Sequence, residues 1–140
     1  MARVLLLEDD RDMALLLRTL LEIEGYQVVS YEPTQPAVAQ TEAAAPDIIL
    51  LDVHLGGKDG LQILRDLRAH PHLRDVRIVM TSGINLTQEC LRDGANAFLT
   101  KPYMPDLLLQ LLKKVLAAPP GQVFSAEPPK PPSASYPKVF

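Results

Sequence analysis

Residues 47–60 read DIILLDVHLGGKDG, and the fold turns on how this stretch is read. Ile48 to Leu51 form an unbroken apolar run, the pattern of a strand buried on both faces in the middle of a parallel sheet. The run ends in a single carboxylate, Asp52, followed at once by a Gly-rich turn and a new helical pattern. Open α/β sheets place their ligands in the crevice outside the carboxyl ends of the strands. Asp52 therefore either caps the next turn or belongs to a site in that crevice. Position alone leaves both open, and the decision rests on whether other groups arrive at the same place.

Upstream, Arg3 to Leu7 is a short apolar strand that stops at Glu8, Asp9 and Asp10. Asp12 is placed to cap a helix whose apolar positions Met13, Leu16, Leu17, Leu20 and Ile23 recur at three and four, ending at Gly25. Gln27 to Tyr31 reads as a second strand. Residues 33–45 read as a weaker, Ala-rich helix with Pro36 in its first turn, stopped by Pro46. Downstream, Leu61, Leu64 and Leu67 carry a third helix as far as His70-Pro71. Val76 to Thr81 is a fourth strand, closing on Thr81-Ser82-Gly83. A short helix over 86–93, stopped by Gly94, leads to a fifth strand, Asn96 to Thr100, which runs into Lys101-Pro102. Asp106 to Leu116 is the last helix.

Five βα units with short connections imply an α/β, doubly wound parallel sheet with helices on both faces. Right-handed crossovers bring the carboxyl ends of all five strands to one edge. That edge collects Glu8, Asp9 and Asp10 after the first strand, Asp52 after the third, Thr81 and Ser82 after the fourth, and Lys101 after the fifth. Carboxylates crowded into one crevice repel each other, and a shared cation makes that charge tolerable. Oxygen ligands with open positions suit Mg²⁺. An Asp beside such an ion can act as a nucleophile on phosphorus, with a lysine and a hydroxyl placed to bind phosphoryl oxygens.

With 140 residues, 47% of them hydrophobic and 22% charged, the chain has the makings of one globular domain with a real core. A net charge of −3 carries no electrostatic footprint for nucleic acid or an anionic membrane. One cysteine, Cys90, excludes a disulfide framework or a cysteine metal site within the chain; it reads as a small buried hydrophobe. Neither a signal peptide nor a spanning segment is apparent, so a cytoplasmic protein is expected. His54, His70 and His72 lack the spacing of a zinc site. The run Gly56 to Gly60 lacks the phosphate-loop pattern, and Gly60 reads instead as permitting the turn into the third helix.

The motifs LLLEDD at 5–10, DVHLGGKDG at 52–60, MTSG at 80–83 and FLTKP at 98–102 together resemble a response-regulator receiver domain of the CheY-like superfamily, the phospho-accepting module of two-component signalling. The resemblance spans residues 2 to about 117 in the right order. It implies a flavodoxin-like (βα)5 fold with strand order 2-1-3-4-5. By resemblance Asp52 is the phosphorylation site, Asp9 a direct Mg²⁺ ligand, Glu8 an acid holding the metal through water, and the backbone carbonyl of His54 the completing ligand. Ser82 takes the place of the switch Ser or Thr, Lys101 that of the family's lysine, and Phe98 that of the switch aromatic. Thr81 competes with Ser82, but adjacent strand residues face opposite ways and the motif alignment favours Ser82. Phe98 could equally be ordinary core, and Asp10 reads as a solvent-facing or helix-starting acid.

The implied partner is a sensor histidine kinase or a phosphotransfer protein, with the face of helix 4, strand 5 and helix 5 carrying the output. The implied activity is self-directed, Mg²⁺-dependent phosphorylation and dephosphorylation rather than turnover of an external substrate. A receiver-fold scaffold signalling without phosphorylation is the alternative, although scaffolds of that kind tend to lack the Asp or Lys present here. A phosphatase of the haloacid dehalogenase type also uses a strand-end Asp, but it wants a second Asp where His54 stands.

The chain departs from the family pattern in three places. Gly56 stands where receivers usually carry proline, so a less rigid turn is expected. The stretch from Ser82 to Gly94 is about three residues shorter than usual, close to one helical turn, and the loss falls on the fourth helix. Ile84 and His54 are bulky neighbours of the phosphoryl site, expected to limit water access. On the last helix, Leu109 and Leu116 form a margin of the apolar stripe suited either to core or to a dimer or partner contact.

Residues 1–118 read as the receiver and 119–140 as a Pro-rich tail or linker, with seven of the 13 prolines. Val123, Phe124, Tyr136, Val139 and Phe140 are candidates to dock that tail on its own domain or a neighbour.

Overall fold

The computed structural model describes residues 1–124. In chain order the elements are β1 (Arg3–Leu7), α1 (Arg11–Ile23), β2 (Gln27–Ser30), α2 (Ala37–Ala44), β3 (Ile48–Asp52), β4 (His54–Leu55), β5 (Lys58–Asp59), α3 (Gly60–Ala69), β6 (Arg77–Ser82), α4 (Thr87–Arg92), β7 (Ala97–Thr100) and α5 (Pro105–Ala117). Five strands form one parallel sheet in the order β2-β1-β3-β6-β7, with β4 and β5 making a separate two-stranded hairpin. Setting the hairpin aside, this is the expected 2-1-3-4-5 order.

Every residue of β3 is buried, as the apolar run demands. Strand alternation divides the core in two. Val4, Leu6, Ile48, Leu50, Val79, Ala97 and Leu99 face the layer of α1 and α5. Leu5, Leu7, Ile49, Leu51, Ile78, Met80 and Phe98 face the layer of α2, α3 and α4. Each fully buried Leu or Ile contributes roughly 1.5–3 kcal/mol, so two such layers dominate the stabilising side of folding.

Local chemistry corrects several expected boundaries. Asp10, not Asp12, caps α1: its Oδ1 accepts from the backbone N–H of Asp12 at 3.0 Å and of Met13 at 3.1 Å. Helix α2 begins only at Ala37, because Pro36 stays extended and occupies the cap position instead of the first turn. Helix α4 is six residues long, so the shortened stretch is a short helix and not a lost one. Leu109 is 9% exposed and lies in the α1–α5 core, with Leu116 half-buried against the same core. The margin of the α5 stripe is therefore core, and Leu109 offers no surface to a partner. Cys90 is fully buried, and burial, with Glu89 and Asp93 adding to it, pushes the thiol up to about 12.

Three arginines finish the edge of the sheet opposite the strand carboxyl ends. Arg3 donates to the Ala44 carbonyl at the end of α2, at 2.6 Å. Arg77 donates to Val115 at 3.0 Å and Ala118 at 2.8 Å, satisfying carbonyls that the end of α5 leaves open. Arg68 spans Gly94, Arg74 and Val76 carbonyls and the Asn96 side chain.

The chain past α5 returns to the domain. The Phe124 N–H donates to the Asn96 carbonyl at 2.8 Å and forms a parallel bridge with Ala97, beside the outer edge of β7. Asn96 Nδ2 donates to the Gln122 carbonyl at 3.1 Å, and Phe124 is half-buried against the α1–α5 core. Phe124 thus docks as expected, whereas Val123 is 50% exposed. Tyr136, Val139 and Phe140 lie outside the described residues. A chain ending at Ala118 is expected to lose about 1–2 kcal/mol relative to one ending at Phe124, read as a lower urea midpoint. Equal midpoints would mean the contact contributes nothing.

Candidate functional site

The order β2-β1-β3 makes the winding reverse between β1 and β3, and the crevice of such a sheet opens at that point. Glu8 and Asp9 follow β1 directly, and Asp52 is the last residue of β3. One carboxylate oxygen from each of the three comes within 4.8 Å of the others. This is the one grouping of His, Cys, Asp or Glu among the described residues that could hold a metal ion. His70 instead pairs with Glu42 at 3.2 Å, far along the sheet from the strand ends.

Lys101 reaches into the cluster from the end of β7. Its Nζ donates to Asp52 Oδ2 at 2.6 Å and to Glu8 Oε1 at 3.1 Å. The remaining oxygens take backbone donors: Asp52 Oδ1 accepts from His54 N–H at 3.0 Å, and Glu8 Oε2 from Asp9 N–H at 3.0 Å. The Asp9 side chain is exposed at the mouth of the cluster, whereas Glu8 and Asp52 are 8% and 9% exposed.

The charges respond to this crowding. Burial raises the Glu8 carboxyl above its ordinary value, and Asp52 adds to the effect while Lys101 only partly offsets it. Burial alone would lower the Lys101 ammonium, yet its bonds to Asp52 and Glu8 outweigh that and hold it above its ordinary value, so it stays charged. Three carboxylates against one ammonium leave two formal negative charges in a small volume. A hard divalent cation with oxygen ligands fits that donor set, with Asp9 exposed to bind directly and Glu8 more deeply set.

Thr81 and Ser82 separate as strand alternation requires. Thr81 lines the cleft beneath the acids together with Glu8, Asp52, Lys101 and Tyr103. Ser82 is fully buried on the opposite face of β6, and its hydroxyl accepts from the Ile84 N–H at 3.2 Å. Met80 pairs with Phe98 and Ser82 with Thr100, so Phe98 is the diagonal neighbour of Ser82 on one face. Phe98 itself is 2% exposed and belongs to the α2–α4 core.

Sequence reasoning missed two contributors. Tyr103, two residues beyond Lys101, is buried under the cluster; burial, with Glu8 and Asp52 adding to it, raises its hydroxyl so that it remains protonated. Its position in a Lys-Pro-Tyr run was the available signal. The other is the β4–β5 hairpin, in which His54 pairs with Asp59 and Leu55 with Lys58. Gly60 has a steric reason beyond the turn: a Cβ there would overlap the Asp52 carbonyl oxygen and stand 2.7 Å from Val53 Cα. The start of α3 thereby packs directly on the backbone that carries Asp52.

Residues 4–113 match the family described as the response regulator receiver domain. Over 117 residues the chain is 32% identical to the phosphate regulon transcriptional regulatory protein PhoB of Escherichia coli, covering 81% of this chain and 51% of that protein. It spans about half the length of such relatives. Among solved structures, chemotaxis response regulator CheY4 of Vibrio cholerae is 27% identical with a TM-score of 0.75, covering 82% of this chain and 98% of that one. The receiver domain of sensor histidine kinase PA1611 from Pseudomonas aeruginosa, which has a magnesium ion coordinated in its active site cleft, is 29% identical with a TM-score of 0.74, over 84% and 98%. No helix among the described residues is long and apolar enough to cross a membrane. The fold, the acidic crevice at the β1–β3 reversal and these matches together make the chain a member of the response-regulator receiver domain family.

Proposed function

We propose that this receiver accepts a phosphoryl group on Asp52 from a sensor histidine kinase or a phosphotransfer protein, with Mg²⁺, in the cytoplasm. The observation that carries the reading is the Asp52 carboxylate itself: it ends a fully buried strand, bonds to Lys101 at 2.6 Å, and shares a crevice with Glu8 and Asp9.

In the transfer, one Asp52 oxygen attacks phosphorus as the nitrogen–phosphorus bond of a phosphohistidine breaks, and the departing imidazole keeps the bond's electron pair and takes up a proton. Asp9, Glu8, Asp52 and the His54 carbonyl would hold the cation, and when bound it would supply positive charge against the phosphoryl oxygens. Lys101 exchanges its contact with Asp52 Oδ2 for a phosphoryl oxygen and remains anchored on Glu8. Thr81, the register partner of Asp52 that lines the cleft with Lys101, offers its hydroxyl to the phosphate in place of Ser82, whose side chain lies on the opposite face of β6, and Phe98 adjusts beside Ser82, relaying the change to α4, β7 and α5. The chain acts catalytically on itself alone. PhoB, 51% of which is covered, is a transcriptional regulatory protein, and a regulatory output of that kind is part of the proposal.

The test is intact-protein mass after incubation with acetyl phosphate, with and without Mg²⁺. A gain of about 80 Da that requires Mg²⁺ and is discharged by hydroxylamine supports the reading. An unmodified chain that also fails to bind beryllofluoride leaves a scaffold that signals without phosphorylation. Ile84 follows Ser82 by two residues and is 61% exposed. Ile84→Ala is expected to shorten the phosphoryl lifetime about threefold to tenfold, read as the rate of mass loss after donor removal; an unchanged rate removes its role as a water barrier.

A further inference from the structure

The β4–β5 hairpin is built differently from a proline-bearing turn. Gly56 has φ +53° and Gly57 φ +82°, the left-handed pair of a tight two-residue hairpin turn. Proline, with φ near −65°, cannot take the first of these positions. The left-handed pair folds His54-Leu55 back on Lys58-Asp59 and brings the turn down onto the acidic crevice. A Cβ on Gly56 would meet Asp9 Oδ2 at 3.1 Å, so the backbone at this position lies against the most exposed of the three carboxylates.

The far strand of the hairpin is tied to a different part of the sheet. Lys58 Nζ donates to the Tyr31 hydroxyl at 2.9 Å and to the Pro33 carbonyl at 3.2 Å, and it stands 5.5 Å from the centre of the Tyr31 ring. Tyr31 and Pro33 follow β2, the strand on the other side of β1. The two anchors thus straddle the crevice: α3 holds the hairpin's exit through Gly60 N–H to the Val53 carbonyl at 2.7 Å, and Lys58 holds its outer strand toward β2. His54, whose N–H is fixed on Asp52 Oδ1, lies between them.

We propose that Gly56 and Lys58 are positioning residues for the cation. The glycine turn lets the hairpin approach Asp9, and the Lys58 clamp on Tyr31 and Pro33 holds the His54 backbone in register with Asp52 and Asp9. Neither residue touches the ion. Both act on the geometry of the groups that do, as supporting contacts around metal ligands generally do. The inference rests on the proposed Mg²⁺ site.

Calorimetric titration with MgCl2 tests it, using the full chain as wild type, Gly56→Ala, Lys58→Met and Tyr31→Phe/Lys58→Met, with Asp9→Asn as the site control and urea unfolding on every variant. Lys58→Met keeps an apolar stem of similar length and loses the charge, so it tests the clamp even if Gly56→Ala fails to fold. The expected result is Mg²⁺ affinity weakened about tenfold by Gly56→Ala and about threefold to tenfold by Lys58→Met, in folded proteins. The double variant is expected to be no weaker than Lys58→Met alone, since both changes break one clamp. Wild-type affinity in folded Lys58→Met and Gly56→Ala, with Asp9→Asn impaired, overturns the positioning role while leaving the metal site standing. Absence of Mg²⁺ binding by the wild type itself overturns the site and the inference with it.

Discussion

Asp52→Asn is expected to gain no mass with Mg²⁺ and acetyl phosphate, where the wild type gains about 80 Da. Under the proposed transfer, the amide lacks the anionic oxygen that would attack phosphorus, and no neighbouring acid is placed to replace it. Glu8 is engaged by Lys101 and by the Asp9 N–H, and Asp9 sits at the exposed mouth of the cluster. The variant is expected to fold, because it removes one of three crowded carboxylates while Lys101 keeps Glu8 as its partner. Circular dichroism and a urea midpoint close to wild type check that point. A mass gain of the wild-type size in folded Asp52→Asn would assign the phosphoryl group to another residue.

The largest loss of stability is expected at Asn96, at the opposite edge of the sheet. Asn96 is 2% exposed, and its Oδ1 accepts from the buried Ile78 N–H at 2.8 Å and from Arg68 Nη2 at 3.0 Å. Burial lowers the Arg68 guanidinium from its ordinary value, with Asp75 pulling the other way, so this cation depends on its acceptors. Those are the Gly94 carbonyl at 2.8 Å, Arg74 at 3.0 Å, Val76 at 2.5 Å and Asn96. Asn96→Ala strands a buried backbone donor and removes one acceptor from a half-buried charge, at a cost of about 2–4 kcal/mol. It also frees the Gln122 carbonyl, which Asn96 Nδ2 holds. Asn96→Asp keeps the Oδ1 acceptor and gains attraction to Arg68, but it buries a charge and turns a second carboxylate oxygen on the Gln122 carbonyl, so it is expected to recover only part of the Asn96→Ala loss. Urea unfolding separates the two; Asn96→Ala within about 0.5 kcal/mol of wild type would show that water replaces the network.

These two residues mark how far the chain could be read. Asp52 was legible because its chemistry coincides with a strand boundary: Ile48 to Leu51 is apolar without a break, and the first charged residue after it falls at the sheet's carboxyl edge. Glu8, Asp9 and Lys101 were legible for the same reason, each being a charged residue within two positions of the end of an apolar run. Asn96 was read only as the start of a strand, since nothing local distinguishes an amide that bonds Ile78 and Arg68 across 18 and 28 residues. Tyr103 is marked in the sequence only by its place in a Lys-Pro-Tyr run, because its burial beneath Glu8 and Asp52 depends on where α5 packs. The sequence offers Asp12 as the cap of α1 and the structure uses Asp10, two acids that satisfy the same local rule about half a turn apart.

The sequence by itself determined the alternation of strand and helix, the identity of the central strand and the edge at which the acids and the lysine meet. These follow from hydrophobic periodicity and chain-handedness, which are local or generic. Only the tertiary structure decided that Leu109 is core, that Phe124 returns to the edge of β7, and that Thr81 rather than Ser82 lines the cleft under the acids. It also decided that Gly56 and Gly57 form a hairpin clamped by Lys58 on Tyr31. Each of those outcomes depends on which surfaces are left over once the sheet and its two helical layers have packed. That remainder is a property of the whole fold, and no window of sequence carries it.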